Sequence, residues 1–192
     1  MDIHDSLLKA KSELKSVDMV INTFGIWDEK QWEYEVNLNL MGTLNVNQLA
    51  EDVITKPGMV LNVVGLSGTE PFSPSPVLAG SFHGVIGYTR SKGHEQNFMR
   101  TGIRVVALCS GITESPFTKD VIKKICCPHM SNDLKAYLDE ACWQKPEVVA
   151  KAIVEVYKCG DSGSVWIVEG SRLFSLKIPD LKAHRVLENQ FI

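Results

Sequence analysis

Short apolar runs alternate with longer amphipathic stretches along this chain. Val17 to Phe24, Met59 to Val64, Ile103 to Cys109 and Ser164 to Val168 are rich in β-branched residues and show little polar alternation. Strands buried on both faces read in this way, whereas a strand with one wet face alternates. Four strands are therefore expected. Ser6 to Ser16, Lys30 to Ile54, Val77 to Arg100 and Pro146 to Lys158 have the length and periodicity of helices, and Pro146 suits a first helical position. Lys56-Pro57-Gly58 stops the second of these ahead of its strand, and Gly102 stops the third. The alternation predicts an α/β domain, a parallel sheet with helices on its faces. The turn-rich Pro71 to Pro76 is a connector. Thr113 to Glu140 is a long helical excursion where a substrate lid would sit.

With 192 residues the expectation is one domain over 1–192. Hydrophobic residues at 44%, charged residues at 22% and a net charge of −3 are ordinary for a globular protein and supply no basic footprint for nucleic acid. The first fifteen residues lack the apolar segment of a signal peptide, and no window approaches a membrane span, so a cytoplasmic location is expected. Five cysteines and no export signal argue for reduced thiols. Cys126-Cys127-Pro128-His129 lacks the paired spacing of a structural zinc site, and no metal is expected.

Several fragments, in order, resemble the short-chain dehydrogenase/reductase family. Asp2 to Asp5 resembles the Asp-Val-Thr-Asp turn after the family's third strand. Val20 to Gly25 resembles the Leu-Val-Asn-Asn-Ala-Gly that ends its fourth, and Leu38-Asn39-Leu40 the segment carrying its helix asparagine. His83 to Ser91 resembles the active-site helix, and Gly102 to Val105 followed by Ser110-Gly111 resembles Gly-Ile-Arg-Val followed by Pro-Gly. Lys145 to Ala150 and Gly163 to Trp166 resemble the subgroup of 15-hydroxyprostaglandin dehydrogenase and the insect-type alcohol dehydrogenases.

The resemblance implies a Rossmann-type doubly wound parallel sheet lacking its first strands, with an NAD or NADP site in the crevice. The family's Thr-Gly-x-x-x-Gly-x-Gly turn, which holds the pyrophosphate, has no counterpart ahead of Asp2. Gly80, Gly84 and Gly87 mimic it only within a helical segment. By resemblance the remaining cofactor residues are Asp2 and Ile3 near the adenine, Asn22 and Gly25 along the adenosine, and Ser110, Gly111, Ile112 and Ser115 near the nicotinamide. Thr23, Phe24 and Ser110 depart from the pattern, and weak dinucleotide binding is expected.

The family's catalytic serine, tyrosine and lysine are spaced thirteen and then four residues apart. Anchored on His83-Gly84, the tyrosine position falls on Leu78, the lysine on Phe82 and the serine on Gly65, which ends the apolar run Met59 to Val64. Asn39 alone keeps its family identity. Ser75, Tyr88 and Lys92 reproduce the internal spacing, but Tyr88 stands 22 residues before Ser110, whereas Leu78 stands 32 before it, the distance the family requires. The resemblance thus implies an NAD(P)-dependent oxidoreductase acting on the CH-OH group of a lipid or small alcohol, degenerate in this chain. The alternative is a non-catalytic scaffold that binds a ligand or partner. A homodimer through the helices 30–54 and 77–100 is expected, with Val17 to Phe24 as an unprotected sheet edge.

Overall fold

The computed structural model describes residues 3–179. In chain order they form α1 (Ile3–Glu13), β1 (Met19–Asn22), α2 (Trp32–Val36), α3 (Thr43–Val53), β2 (Gly58–Gly65), α4 (Pro76–Lys92), α5 (Glu95–Thr101), β3 (Ile103–Ser110), α6 (Pro128–Glu140), α7 (Pro146–Cys159), β4 (Val165–Glu169) and β5 (Arg172–Ser175). The sheet runs β1-β2-β3-β4-β5. Its first four strands are parallel, in a register that sets Met59 beside Met19 and Arg104, and Val165 beside Ala107. The α/β arrangement expected from the apolar runs is the one observed. A fifth strand was not expected. β5 turns back on β4 through Gly170 and Ser171, both at positive φ, and pairs antiparallel with it.

Alternate side chains of the central strands enter opposite cores. Met59, Leu61, Val106, Leu108 and Val168 pack against Ala152 and Val156 of α7. On the other face Val60, Ile103 and Val105 meet Ala50 and Val53 of α3, while Val64, Ala107 and Cys109 meet Leu78, Phe82, Val85 and Ile86 of α4. Each fully buried aliphatic side chain contributes roughly 1.5–3 kcal/mol. Leu7 brings α1 against the α3 core. Among the described residues β1 pairs with β2 alone, leaving its other side at the sheet edge, with Ile21 45% exposed.

Two expected helices are interrupted. The stretch from Lys30 to Ile54 opens with a 3-10 turn over Glu29–Gln31, where the Asp28 side chain accepts from the Lys30 N–H. It then passes through a π-helical segment over Asn37–Gly42 before α3. The stretch from Val77 to Arg100 divides at Gly93, where the Gly163 backbone comes so close that a Cβ would lie 2.3 Å from its nitrogen. Only a residue without a side chain fits at that crossing, and α5 restarts with the His94 ring accepting from the Gln96 N–H. Asp2 lies outside the described residues, and Ile3 opens α1 instead of a turn. Apolar spacing explains this correction, since Ile3 and Leu7 are four apart and Leu7 faces the core.

A buried polar chain ties these layers together. The Asn22 amide donates to Thr43 Oγ1 at 2.8 Å, Asn47 and Asn62 exchange amide hydrogen bonds, and Asn62 also donates to Thr89 Oγ1 at 3.0 Å. Buried hydrogen bonds of this kind favour one arrangement of neighbouring elements. Here they bind β1 to α3, and α3 through β2 to α4.

Candidate functional site

A cavity of about 390 Å³ opens at the carboxyl ends of β1, β2 and β3. Its floor is the chain leaving those strands: Thr23 to Gly25, Val63 to Ser67, and Ser110 to Thr113. Helix α4 supplies Leu78 and Phe82, the segment 113–140 supplies Phe117 and Tyr137, and α7 supplies Val149 and Ile153. The volume lies within the range of small-molecule sites, and its place matches the crevice where open α/β sheets bind ligands.

The three positions assigned to the lost serine, tyrosine and lysine all line this one space. Gly65 ends β2, while Leu78 and Phe82, four apart on α4, present one apolar face. The Phe82 ring comes within 3.2 Å of the point a Cβ on Gly65 would occupy, and it stacks on Phe117 at 6.2 Å between centroids. Leu78 and Phe82 are 2% and 5% exposed, so this face is packing as well as wall.

Of the residues assigned to the cofactor, Gly25, Ser110, Gly111, Ile112 and Ser115 line the cavity. Asn22 does not. It is buried beneath the floor, with its amide on Thr43 and its Oδ1 without a hydrogen-bond partner. Ile3 is 42% exposed on α1 and is not part of the lining. Asn39 is likewise outside it: its Oδ1 accepts from the Ile26 N–H at 2.9 Å and its Nδ2 donates to the Ile26 carbonyl at 2.8 Å. Both ends of that amide are spent on shaping the loop after β1, from within the π-helical segment.

The competing set lies elsewhere. Ser75 is fully buried and accepts from Trp27 Nε1 at 2.6 Å; Lys92 pairs with Glu51; and the Tyr88 hydroxyl is buried without a partner. None of the three lines the cavity. Burial, and then the charge of Glu51, push the Tyr88 phenol up to about 12.

Sequence reasoning missed an acidic cluster beneath the start of α4. Glu29, 2% exposed, accepts through Oε1 from the Val77 and Leu78 N–H groups at 3.1 Å each. It thus caps the helix in place of Ser75, whose hydroxyl is engaged by Trp27. Glu35, fully buried, accepts from the Asp28 N–H at 2.7 Å, and its Oε1 has no partner. Burial drives Glu35 up to about 7. The Asp28 N–H opposes that shift, while the charges of Glu29 and Asp28 add to it. Burial also raises Glu29, against the two helix N–H groups. Cys126 donates to the Glu29 carbonyl at 2.8 Å. Among the described residues no group of three or more His, Cys, Asp or Glu side chains is placed to hold a metal ion. No helix of these residues is long and apolar enough to cross a membrane.

A family model described as short chain dehydrogenase matches residues 2–125. Alcohol dehydrogenase 1 of Ceratitis cosyra is 29% identical over 181 residues, covering 92% of this chain and 70% of that protein. The 15-hydroxyprostaglandin dehydrogenase [NAD(+)] of Mus musculus is 29% identical over 127 residues, or 64% of this chain and 47% of that one. A short chain dehydrogenase from Burkholderia cenocepacia, solved in complex with NADP, superposes with a TM-score of 0.69 at 15% identity, over 88% of this chain and 70% of that one. A 4-hydroxyisoleucine dehydrogenase complexed with NADH superposes with a TM-score of 0.65 at 18% identity, over 88% of this chain and 73% of that one.

Proposed function

The chain belongs to the short-chain dehydrogenase family of oxidoreductases, and from that premise we propose that it keeps the family's ligand cavity without the family's proton-transfer chemistry. The observation that carries this reading is the shared wall of Gly65, Leu78 and Phe82. Oxidising a carbinol to a carbonyl needs a base for the hydroxyl proton as the hydride leaves, and the base must have a suitable pKa within hydrogen-bond reach. Leu78 has no ionisable atom. Phe82 brings no cation to lower a neighbour's pKa, and Gly65 has no hydroxyl to orient a substrate oxygen. Tyr137 is the one phenol that the described residues bring to the lining, but burial and the charges of Glu169 and Glu70 hold its pKa up, which suits a hydrogen-bond donor rather than a base.

NAD or NADP, the family's cofactor, exchanges the hydride when bound. The residues here do not fit a whole dinucleotide. Ser110, Gly111 and Ser115, with Ile112 beside them, form a shelf of mainly small and polar groups suited to the nicotinamide end. Against this, the Phe117 ring stands 3.4 Å from the Cβ position of Gly25, and the Phe24 ring also lines the space. The Phe82 ring occupies the wall from which a family lysine holds the ribose. Dinucleotide binding weaker than micromolar follows.

The segment 113–140 acts as a lid over a single domain. Its Phe117 and Tyr137 reach the cavity, so they set which molecule enters. A two-fold partner against the stretches 30–54 and 77–100 is supported by Gly80 and Gly87, around whose Cβ positions nothing lies within 4 Å, and by exposed Met41, Trp32 and Tyr34. The small-residue shelf favours a second reading, residual oxidoreductase activity on the CH-OH group of a small alcohol or lipid. One experiment separates the two: titrate NAD and NADP by calorimetry, and follow nicotinamide absorbance with a panel of primary and secondary alcohols. No turnover and no micromolar binding are expected. Turnover that disappears when the cavity is filled would establish the second reading.

A further inference from the structure

Five aromatic rings in mutual contact run around the cavity. Tyr137 meets Phe72 edge-on at 5.0 Å, and Phe72 meets Trp27 at 5.9 Å. Trp27 meets Phe117 at 5.8 Å, and Phe117 lies nearly parallel to Phe82 at 6.2 Å, with 20° between their planes. All five border the same space. Such a wall offers π faces and edges to a flat conjugated ligand, beyond the gain from burying its apolar area.

Charge narrows the class further. Among the described residues, Glu70 and Tyr137 are the only ionisable side chains in the lining, and no lysine, arginine or histidine is among them. An anionic ligand would leave water without a counter-charge and would face the Glu70 carboxylate, so the cost of desolvating it is not offset. A ligand oxygen, however, has a donor waiting. Tyr137 is half-buried on α6, and among the described residues nothing accepts a hydrogen bond from its hydroxyl. Burial and the neighbouring Glu169 and Glu70 keep that phenol protonated, so it donates.

We infer that this cavity binds an uncharged, flat, conjugated molecule bearing a carbonyl oxygen, lying against the half-buried rings of Phe72, Phe117 and Tyr137 with Tyr137 donating to that oxygen. This deepens the reading of a retained ligand cavity and rests on it. The chemistry required of the ligand is that of an aryl ketone or a quinone-like ring.

Three probes on one ring frame test it: 9-fluorenone, neutral and bearing the carbonyl; fluorene, which lacks it; and 9-fluorenone-2-carboxylate, an anion. Each is titrated by calorimetry into the full chain without nucleotide, and because the chain has four tryptophans, quenching of tryptophan emission is assigned to the neighbourhood of Trp27 by its loss in Trp27→Phe. Fluorenone should bind one-to-one. Fluorene should bind about two- to tenfold more weakly, the range a neutral hydrogen bond supplies, and the carboxylate more weakly than the ketone. Tyr137→Phe should bring fluorenone down to the level of fluorene and leave fluorene unchanged, with the circular dichroism spectrum retained. The inference is overturned if fluorenone does not saturate, if the carboxylate binds as tightly as the ketone, or if Tyr137→Phe leaves the ketone's advantage intact. NADPH is added in a separate arm. Conversion of bound fluorenone to fluorenol would uphold the ligand class while sinking the non-catalytic reading, whereas no binding and no turnover would sink the ligand class alone.

Discussion

The ring of Phe82 stands 3.2 Å from the point where a Cβ on Gly65 would sit. The two positions are coupled through this contact. A side chain at position 65 needs Phe82 to give by a few tenths of an ångström, and Phe82 is 5% exposed and stacked on Phe117, so it has little room. Gly65→Ser is therefore expected to lower stability by about 1–3 kcal/mol, as overpacking does. The same substitution in a Phe82→Ala background should cost less. Urea unfolding of the four proteins of this double-mutant cycle gives the coupling, which is expected to be at least about 0.5 kcal/mol for residues in contact. Additive losses would mean that the ring moves aside freely.

Helix α4 begins on a carboxylate borrowed from another element, since Glu29 accepts from the Val77 and Leu78 N–H groups. Glu29→Ala should cost about 1–2 kcal/mol, the upper part of the capping range, because the site is buried and a helix N-terminus favours negative charge. Glu29→Gln should recover part of the loss, since its amide oxygen still accepts. As Leu78 is one of the residues Glu29 holds, a hydrogen-exchange measurement should show faster exchange over the first turn of α4 in Glu29→Ala than in the parent protein.

A pH dependence follows from Glu35, whose pKa burial raises in the folded protein to about 7 from the ordinary 4.5. A raised carboxyl pKa means that the folded state holds the proton more tightly. Its contribution is fully present below about pH 4.5 and is lost as pH rises through about 7. Glu29 is raised in the same direction, so the two add. The urea midpoint of the parent should fall between pH 5 and pH 8 more steeply than that of Glu35→Gln, which has no proton to lose. Parallel curves would show that another group sets the slope.

The apolar runs were enough to read the sheet because burial on both faces leaves little choice of residue in β2 and β3, where Met59, Leu61, Val106 and Leu108 are inaccessible to solvent. β5 escaped because Arg172 to Ser175 is an exposed edge of four residues with polar ends, and only the Gly170-Ser171 turn announces it. The break at Gly93 depends on the backbone of a distant turn, so no local pattern carries it. The cavity wall was partly legible: Gly65, Leu78 and Phe82 followed from the family register, and they line one space. The aromatic ring of Trp27, Phe72, Phe117 and Tyr137 was not, since its members come from four separate stretches that approach only through folding. Ile3 and Asn39 follow from likeness alone, and neither lines the cavity: Asn39 spends its amide on the Ile26 backbone, and Ile3 is exposed on α1.

Tyr88 is the sharpest trap in the sequence, because with Ser75 and Lys92 it copies the family's catalytic spacing. The structure separates the three: Ser75 serves Trp27, Lys92 pairs with Glu51, and the Tyr88 hydroxyl is buried with no hydrogen-bond partner and is not in the cavity. A buried hydroxyl without a partner forfeits its hydrogen bonds to water and gains nothing in exchange, a loss of about 1–3 kcal/mol. Tyr88→Phe removes that hydroxyl and keeps the ring, so it is expected to stabilise the protein by about 1 kcal/mol or to leave it unchanged. Binding of a flat ketone in the cavity should stay within twofold of the parent, in contrast with Tyr137→Phe. Thermal unfolding and the fluorenone titration measure both. A loss of stability in Tyr88→Phe would reveal a partner for the hydroxyl in solution, and the two-fold interface proposed along α4 is where that partner would be sought.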